Sequence, residues 1–190
     1  DLIVKVDFSA RPFTATGDSG TTYSADTVVI CTGAKARWLG LPSEVTYRGY
    51  GVSACATCDG FFFRGKDVAV IGGGNSAVEE ALFLSQFASK VTVIHRRDTF
   101  RAEKIGQDRL FANPKINVIW DSCVEEIVGN LPGSATGPIG VTGLKLKNLK
   151  SGALSALSVD GVFVAIGHDP ATDLFKGQIK MDESGYILTA

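Results

Sequence analysis

Cys55 and Cys58 stand two residues apart in Cys55-Ala-Thr-Cys58-Asp59-Gly60. Two thiols at that spacing can close a small ring and reopen it by thiol–disulfide exchange. The same spacing could supply half of a zinc site, which needs four ligands. The rest of the chain offers no matching pair, because Cys31 and Cys123 sit singly in apolar segments and His168 stands alone. Zinc is therefore disfavoured and no metal is expected. A purely structural disulfide is disfavoured as well, since so short a loop constrains the unfolded chain little. Asp59 follows the second cysteine directly. A carboxylic acid there can protonate newly formed thiolates; the plain alternative is a turn residue in an Asp-Gly pair. The residues alone leave these two level.

A second pattern begins at residue 67. The apolar run Asp67-Val-Ala-Val-Ile71 opens onto Gly72-Gly-Gly74-Asn75-Ser76-Ala77. Gly72 permits a tight turn, Gly74 lets the backbone approach a pyrophosphate, and Ala77 lets the following helix pack close to the strand. Asn75 and Ser76 are good capping types, and the helix start offers free N–H groups to an anion. A glycine turn alone could be structural. Here a strand precedes it, a helix follows and a second strand ends on time, which is the context a dinucleotide site requires.

The end of that second strand selects the nucleotide. An NAD site places Asp or Glu there for the ribose 2′-hydroxyl. This chain has His95-Arg96-Arg97, with Arg101 close behind. Guanidinium groups pair with a 2′-phosphate in a bidentate way, so NADPH is the expected nucleotide. The competing reading is a solvated basic turn.

These groups need a scaffold. From residue 66 strand and helix patterns alternate: strands at 67–71, 91–94 and 116–120, helices at 77–88 and 101–111. Ala77, Ala81, Leu84 and Ala88 recur at intervals of three and four, on one helix face. Such alternation predicts a parallel sheet covered on both sides. Residues 123–128, 141–149 and 153–159 read as an antiparallel meander with a Gly/Pro-rich loop at 129–140, and 161–166 as another buried strand. Residues 1–42 read as short strands: 2–8, a hairpin punctuated by Gly17 and Gly20, and a buried strand at 26–30. Cys31 and Cys123 are expected to be small buried residues.

The chain has 190 residues, 45% apolar and 21% charged, with a formal net charge of -1. That allows one large domain or one complete domain with pieces of another. A global polyanion surface is unexpected, so nucleic acid is excluded and any anion site must be local. No apolar run reaches membrane-spanning length, so no membrane partner is expected.

Four stretches together closely resemble low-molecular-weight, NADPH-dependent thioredoxin reductases: Cys55-Ala-Thr-Cys58-Asp-Gly, Gly72-Gly-Gly-Asn-Ser-Ala-Val-Glu-Glu-Ala81, His95-Arg-Arg-Asp-Thr-Phe-Arg-Ala-Glu-Lys104 and Val164-Ala-Ile-Gly-His168. Thr32-Gly33-Ala34 and Trp38-Leu-Gly-Leu-Pro42 extend the likeness. The resemblance implies an α/β fold in which a Rossmann-like NADPH-binding domain with a β-meander, residues 37–159, carries the dithiol. Residues 1–36 and 160–190 would be incomplete flanking segments of an FAD-binding domain, with hinges near Ala36 and Asp160. NADPH would reduce FAD, the flavin would reduce Cys55–Cys58, and the dithiol would reduce thioredoxin. Cys58 would face the flavin, Cys55 the partner, and Asp59 would carry the proton. Cofactor contacts would include Thr32, Gly33, Ile166 and Gly167. The family's N-terminal glycine fingerprint and C-terminal Gly-Asp flavin motif are not in these residues, so an internal fragment of a longer, cytoplasmic (or organellar), homodimeric reductase is expected, itself inactive. The alternatives are an isolated NADPH-binding module and the flavoprotein of an alkyl hydroperoxide reductase system.

Overall fold

The computed structural model describes residues 1–133 and 137–189. It divides into two compact units, one formed by residues 1–35 and 168–190 and the other by residues 36–167.

The first unit holds an antiparallel sheet in the order β1 (Ile3–Asp7), β2 (Phe13–Gly17), β3 (Thr22–Ala25). β1 falls within the expected strand at 2–8, and β2 and β3 form the hairpin that turns at Gly17–Gly20. Phe8 packs edge-on against Phe13 and stacks on Phe175, with ring centroids 5.5 and 6.0 Å apart. Gln178 accepts the Phe8 N–H and donates to the Val6 carbonyl, tying the C-terminal stretch to β1. The expected buried strand at 26–30 is absent. Residues 27–30 are irregular, Val28 and Val29 are 47% and 85% exposed, and Cys31 is exposed rather than buried. An apolar run becomes a strand only where a neighbouring ladder takes its N–H and C=O groups, and no described strand flanks it. Beyond it, β4 (Ala34–Ala36) pairs with β13 (His168–Pro170).

The second unit is built on a five-stranded parallel sheet, which the alternating pattern anticipates. Its order is β5 (Val52–Ser53), β12 (Gly161–Ala165), β6 (Asp67–Gly72), β7 (Lys90–Ile94), β8 (Ile116–Ile119). Crossovers run through α3 (Asn75–Leu84) and α4 (Lys104–Ala112). Strand alternation divides the core in two. Val68 and Val70 of β6 and Val91 and Val93 of β7 meet α3, α4 and the short α2 (Ala56–Asp59). Ala69, Ile71 and Ile94 turn to the other face, against Val124, Ile127, Leu144 and Leu146. Those four belong to an antiparallel meander of β9 (Ser122–Asn130), β10 (Gly140–Asn148) and β11 (Leu154–Ser158). One face is thus covered by helices and the other by a sheet; residues 134–136 of the 129–140 loop lie outside the described residues.

Ala77, Ala81 and Leu84 are buried on the predicted helix face; the helix starts at Asn75 and ends at Leu84 rather than 88, and Ala88 is buried in the turn that follows. Fully burying a side chain such as Leu84 contributes about 1.5–3 kcal/mol. The second crossing between units moves. The sequence places it at residue 160, but β12 pairs in parallel with β6 from Gly161↔Val68 to Ala165↔Gly72, so the strand is central to this unit and the division falls after Gly167. No helix among the described residues is long and apolar enough to cross a membrane.

Candidate functional site

The glycine turn joins β6 to α3. Gly72 has φ +154, and a Cβ there would run into the Ala165 carbonyl oxygen and the Ala77 side chain. Only glycine lets β6, β12 and α3 meet this closely. Gly74 is the residue just before α3, and a Cβ on it would meet nothing within 4 Å in the cleft that it lines. A backbone bare on that side accepts close approach by a ligand, as the pyrophosphate reading requires.

The cleft has a volume of about 550 Å³. The turn from Gly72 to Ser76 forms one wall and the end of β7, with His95, Arg96 and Arg101, another; Ile166 and Gly167 also line it. No carboxylate is among its lining residues. Ala77 lies underneath, fully buried, and acts by close packing. Arg97 is exposed and is not part of the lining. Thr32 and Gly33 belong to the other unit, where Gly33 has φ +71 and open space above it.

Two backbone N–H groups pin the basic loop to the turn: Arg101 N–H donates to the Gly73 carbonyl at 2.8 Å, and Glu103 N–H to the Asn75 side-chain Oδ1 at 2.7 Å. His95 is 6% exposed, packed where a Gly73 side chain would be, with Nε2 3.1 Å from the Thr99 carbonyl. Burial lowers its pKa most; the Thr99 carbonyl opposes this, while the charges of Arg97, Arg101 and Arg96 add to it. His95 therefore fills the base of the loop as a neutral ring at pH 7, and positive charge comes from the arginines.

Sequence reasoning missed Arg37, which also lines the cleft. Its N–H donates to the Gly167 carbonyl at 2.9 Å. The following residues are held by Glu44, fully buried in α1 (Pro42–Tyr47), whose carboxylate accepts the N–H groups of Leu39 and Gly40 at 2.8 and 3.0 Å. Arg48 lies 3.6 Å from that carboxylate and 3.8 Å from the Trp38 ring centroid. Nothing in the local pattern marks Arg37 as a cleft residue. Cys123 is half-buried and lines the same cleft rather than the core.

Cys55 and Cys58 form a disulfide, with Cα atoms 5.3 Å apart. Cys55 caps α2, its sulfur accepting the Cys58 N–H at 3.2 Å. Cys58 is exposed and Cys55 half-buried. The pair is held from below because Ala56, 1% exposed, packs into the cluster containing Ala77 and Ala81. A Cβ on Gly60 would sit 2.8 Å from Leu84, so the turn after Asp59 also lies against α3. Asp59 accepts a hydrogen bond from the Ser53 hydroxyl at 2.6 Å, and Ser53 in turn accepts the Cys55 N–H at 3.0 Å. Phe61 and Phe62, just beyond, are 65% and 74% exposed. None of Cys55, Cys58 and Asp59 lines the cleft.

The arginine-lined cleft and the Cys55–Cys58 disulfide thus lie in one unit. Over residues 1–190 the chain matches the family model described as pyridine nucleotide-disulphide oxidoreductase. It belongs to that family. The chain is 57% identical over 189 residues to a thioredoxin reductase of Rickettsia conorii, covering all of this chain and 59% of that protein. A Pseudomonas fluorescens protein named glucosaminate ammonia-lyase is 54% identical over 191 residues, with 99% of this chain and 57% of that one covered. The solved thioredoxin reductase of Giardia duodenalis superposes with a TM-score of 0.84 at 41% identity, over 97% of this chain and 58% of its own. The chain spans about three fifths of the length of the curated relatives it matches. The likeness to thioredoxin reductases read from the motifs therefore extends over the whole of this family member.

Proposed function

We propose that this chain carries the NADPH-binding and disulfide-bearing portion of a flavoprotein disulfide reductase whose electron acceptor is thioredoxin. The observation that carries the reading is a glycine-turn cleft lined by arginines and by no carboxylate, in the same unit as an accessible disulfide followed by an acid. Gly72 and Gly74 leave room for a pyrophosphate, and the α3 start supplies N–H groups to it. Arg96 and Arg101 in the cleft, above the buried His95, hold the 2′-phosphate, and exposed Arg97, outside the lining, adds its charge nearby. When bound, NADPH would supply hydride chemistry and FAD two-electron redox chemistry for the disulfide. For FAD, Gly33's open left-handed turn beside Thr32 fits a close backbone approach, while Ile166 and Gly167 are proposed as contacts of the nucleotide in the cleft they line.

On the protein side, two electrons break the Cys55–Cys58 bond, and Asp59 supplies a proton to a departing thiolate. Cys58 is assigned to the flavin and Cys55 to the partner. The exposed Phe61 and Phe62 offer apolar surface to thioredoxin beside the disulfide. The working protein is proposed to be a cytoplasmic homodimer.

In the whole protein, NADPH should be consumed only when oxidised thioredoxin is present, and Cys58→Ser should abolish that turnover. Turnover that survives the substitution would defeat the assignment. The Pseudomonas relative motivates a parallel assay with glucosaminate: ammonia release independent of both cysteines would replace the reductase reading. Peroxide-dependent turnover through a peroxidase partner would instead point to an alkyl hydroperoxide reductase system. NADPH binding by calorimetry without any turnover would reduce the chain to a binding module.

A further inference from the structure

Ser53 ends β5, is 7% exposed, and its hydroxyl meets three groups. It accepts the Cys55 N–H at 3.0 Å, donates to Asp59 Oδ2 at 2.6 Å, and lies 3.4 Å from the Cys55 carbonyl oxygen. A hydroxyl has one hydrogen and two lone pairs, so it cannot fully serve both oxygens as donor. Two arrangements satisfy every group. With Asp59 ionised, the hydroxyl donates to Oδ2. With Asp59 protonated, the carboxylic O–H donates to Ser53 Oγ, and the serine hydrogen turns to the Cys55 carbonyl. The Cys55 N–H donates to Oγ in both.

We propose that Ser53 is the positioning residue of the dithiol's acid: its hydroxyl turns between Asp59 Oδ2 and the Cys55 carbonyl as Asp59 gains and loses a proton, so the carboxyl keeps its place in both states. This rests on the reading of Cys55–Cys58 as a redox couple with Asp59 as its acid. It goes beyond that reading by naming what aims the acid and why a serine stands two residues before the first cysteine. A group that could only donate would hold the carboxylate and lose the carboxylic acid. An apolar group would hold neither and would leave the Cys55 N–H without its acceptor.

The step balances as follows. The thiolate of an external dithiol attacks one sulfur, the S–S bond breaks, and its electron pair stays on the departing sulfur. The Asp59 proton moves to that thiolate, leaving a carboxylate and a thiol, while Ser53 turns its hydrogen back to Oδ2. Attack by the second external thiolate resolves the mixed disulfide, so the external dithiol is oxidised and Cys55 and Cys58 are reduced. The other ionisable side chains on elements packed against α2 are Glu79 and Glu80 on α3 and, just beyond the 3-10 turn Gly60–Phe63, Arg64. Burial pushes the Glu80 pKa up to about 7, so every variant is compared with the wild type at the same pH.

The test is the rate at which dithiothreitol reduces the disulfide in the full chain at pH 7, read by quenched alkylation and mass. Asp59→Asn should slow it at least about tenfold, within the usual range for a proton-transfer group. Ser53→Ala should slow it about three- to tenfold, and the double variant should be no slower than Asp59→Asn alone, because the serine acts only through the acid. Ser53→Thr should keep the wild-type rate while the isosteric Ser53→Val is slow; that pair decides the matter if the alanine variant does not fold. Multiplying effects in the double variant, or a valine variant as fast as the threonine one, would overturn the proposal. A slow Asp59→Asn beside an unchanged Ser53→Ala would also sink it. A wild-type rate in Asp59→Asn would bring down the acid assignment itself, and a disulfide that dithiothreitol leaves intact would bring down the redox reading.

Discussion

Asn75 Oδ1 accepts the backbone N–H of Glu103 at 2.7 Å, joining the first residue of α3 to a loop 28 positions away. With the Arg101 N–H bound to the Gly73 carbonyl, it ties the basic loop to the glycine turn at two points. A pre-set cleft spares a ligand the cost of ordering it. Asn75→Ala should therefore weaken NADPH and NADH by a similar factor, about three- to tenfold for one neutral hydrogen bond. Calorimetry with both nucleotides checks this; a loss confined to NADPH would mean that Asn75 touches the 2′-phosphate.

The two arginines inside the cleft should decide between the coenzymes. One charge-assisted hydrogen bond is worth about 1.5–3 kcal/mol. Arg96→Ala with Arg101→Ala should shift the NADPH-to-NADH preference at least about tenfold, and by more than Arg97→Ala does from outside the lining. Equal binding of the two nucleotides before and after substitution would leave the arginines as solvated surface.

Gly72→Ala should cost stability as well as binding. The added methyl meets the Ala165 carbonyl oxygen and the Ala77 side chain at a backbone conformation that favours glycine. β6 and β12 must then part or α3 must lift, a loss of about 1–3 kcal/mol. Denaturant unfolding measures it. Gly74→Ala, in open space, should unfold at nearly the wild-type midpoint while binding nucleotide more weakly.

Glu80 links stability to pH. Burial raises its pKa from 4.5 to about 7, only partly opposed by the Ala56 backbone N–H, and its Oε2 has no hydrogen-bond partner among the described residues. The folded chain therefore favours the protonated carboxyl. Its contribution is fully present below about pH 4.5 and is lost as pH rises through 7. Glu80→Gln should leave the melting temperature unchanged at pH 5 and raise it at pH 8. Glu80 is partly exposed, so screening reduces the effect to the order of 1 kcal/mol. A variant that melts lower than wild type at pH 8 would show that the carboxylate is paired when ionised.

The sequence by itself determined what repeats or caps locally: the 3.6-residue spacing of Ala77, Ala81, Leu84 and Ala88, the glycine turn, the Cys-x-x-Cys pair and the three meander strands. Each is legible because its residues interact within a few positions. Tertiary structure decided what depends on partners far along the chain. β12 enters the sheet beside β6, 93 residues earlier (Gly161↔Val68), and so carries the unit's limit to Gly167. The apolar run at 27–30 stays irregular, with no described ladder beside it. Arg37 reaches the cleft because the Gly167 carbonyl takes its N–H and Glu44 anchors the residues after it. Arg96 and Arg101 line the cleft while Arg97 does not, and the bonds to Gly73 and Asn75 hold the segment that carries Arg101 against the glycine turn. A side chain's type is written in the sequence, but its burial and aim come from backbone hydrogen bonds between segments that only folding brings together.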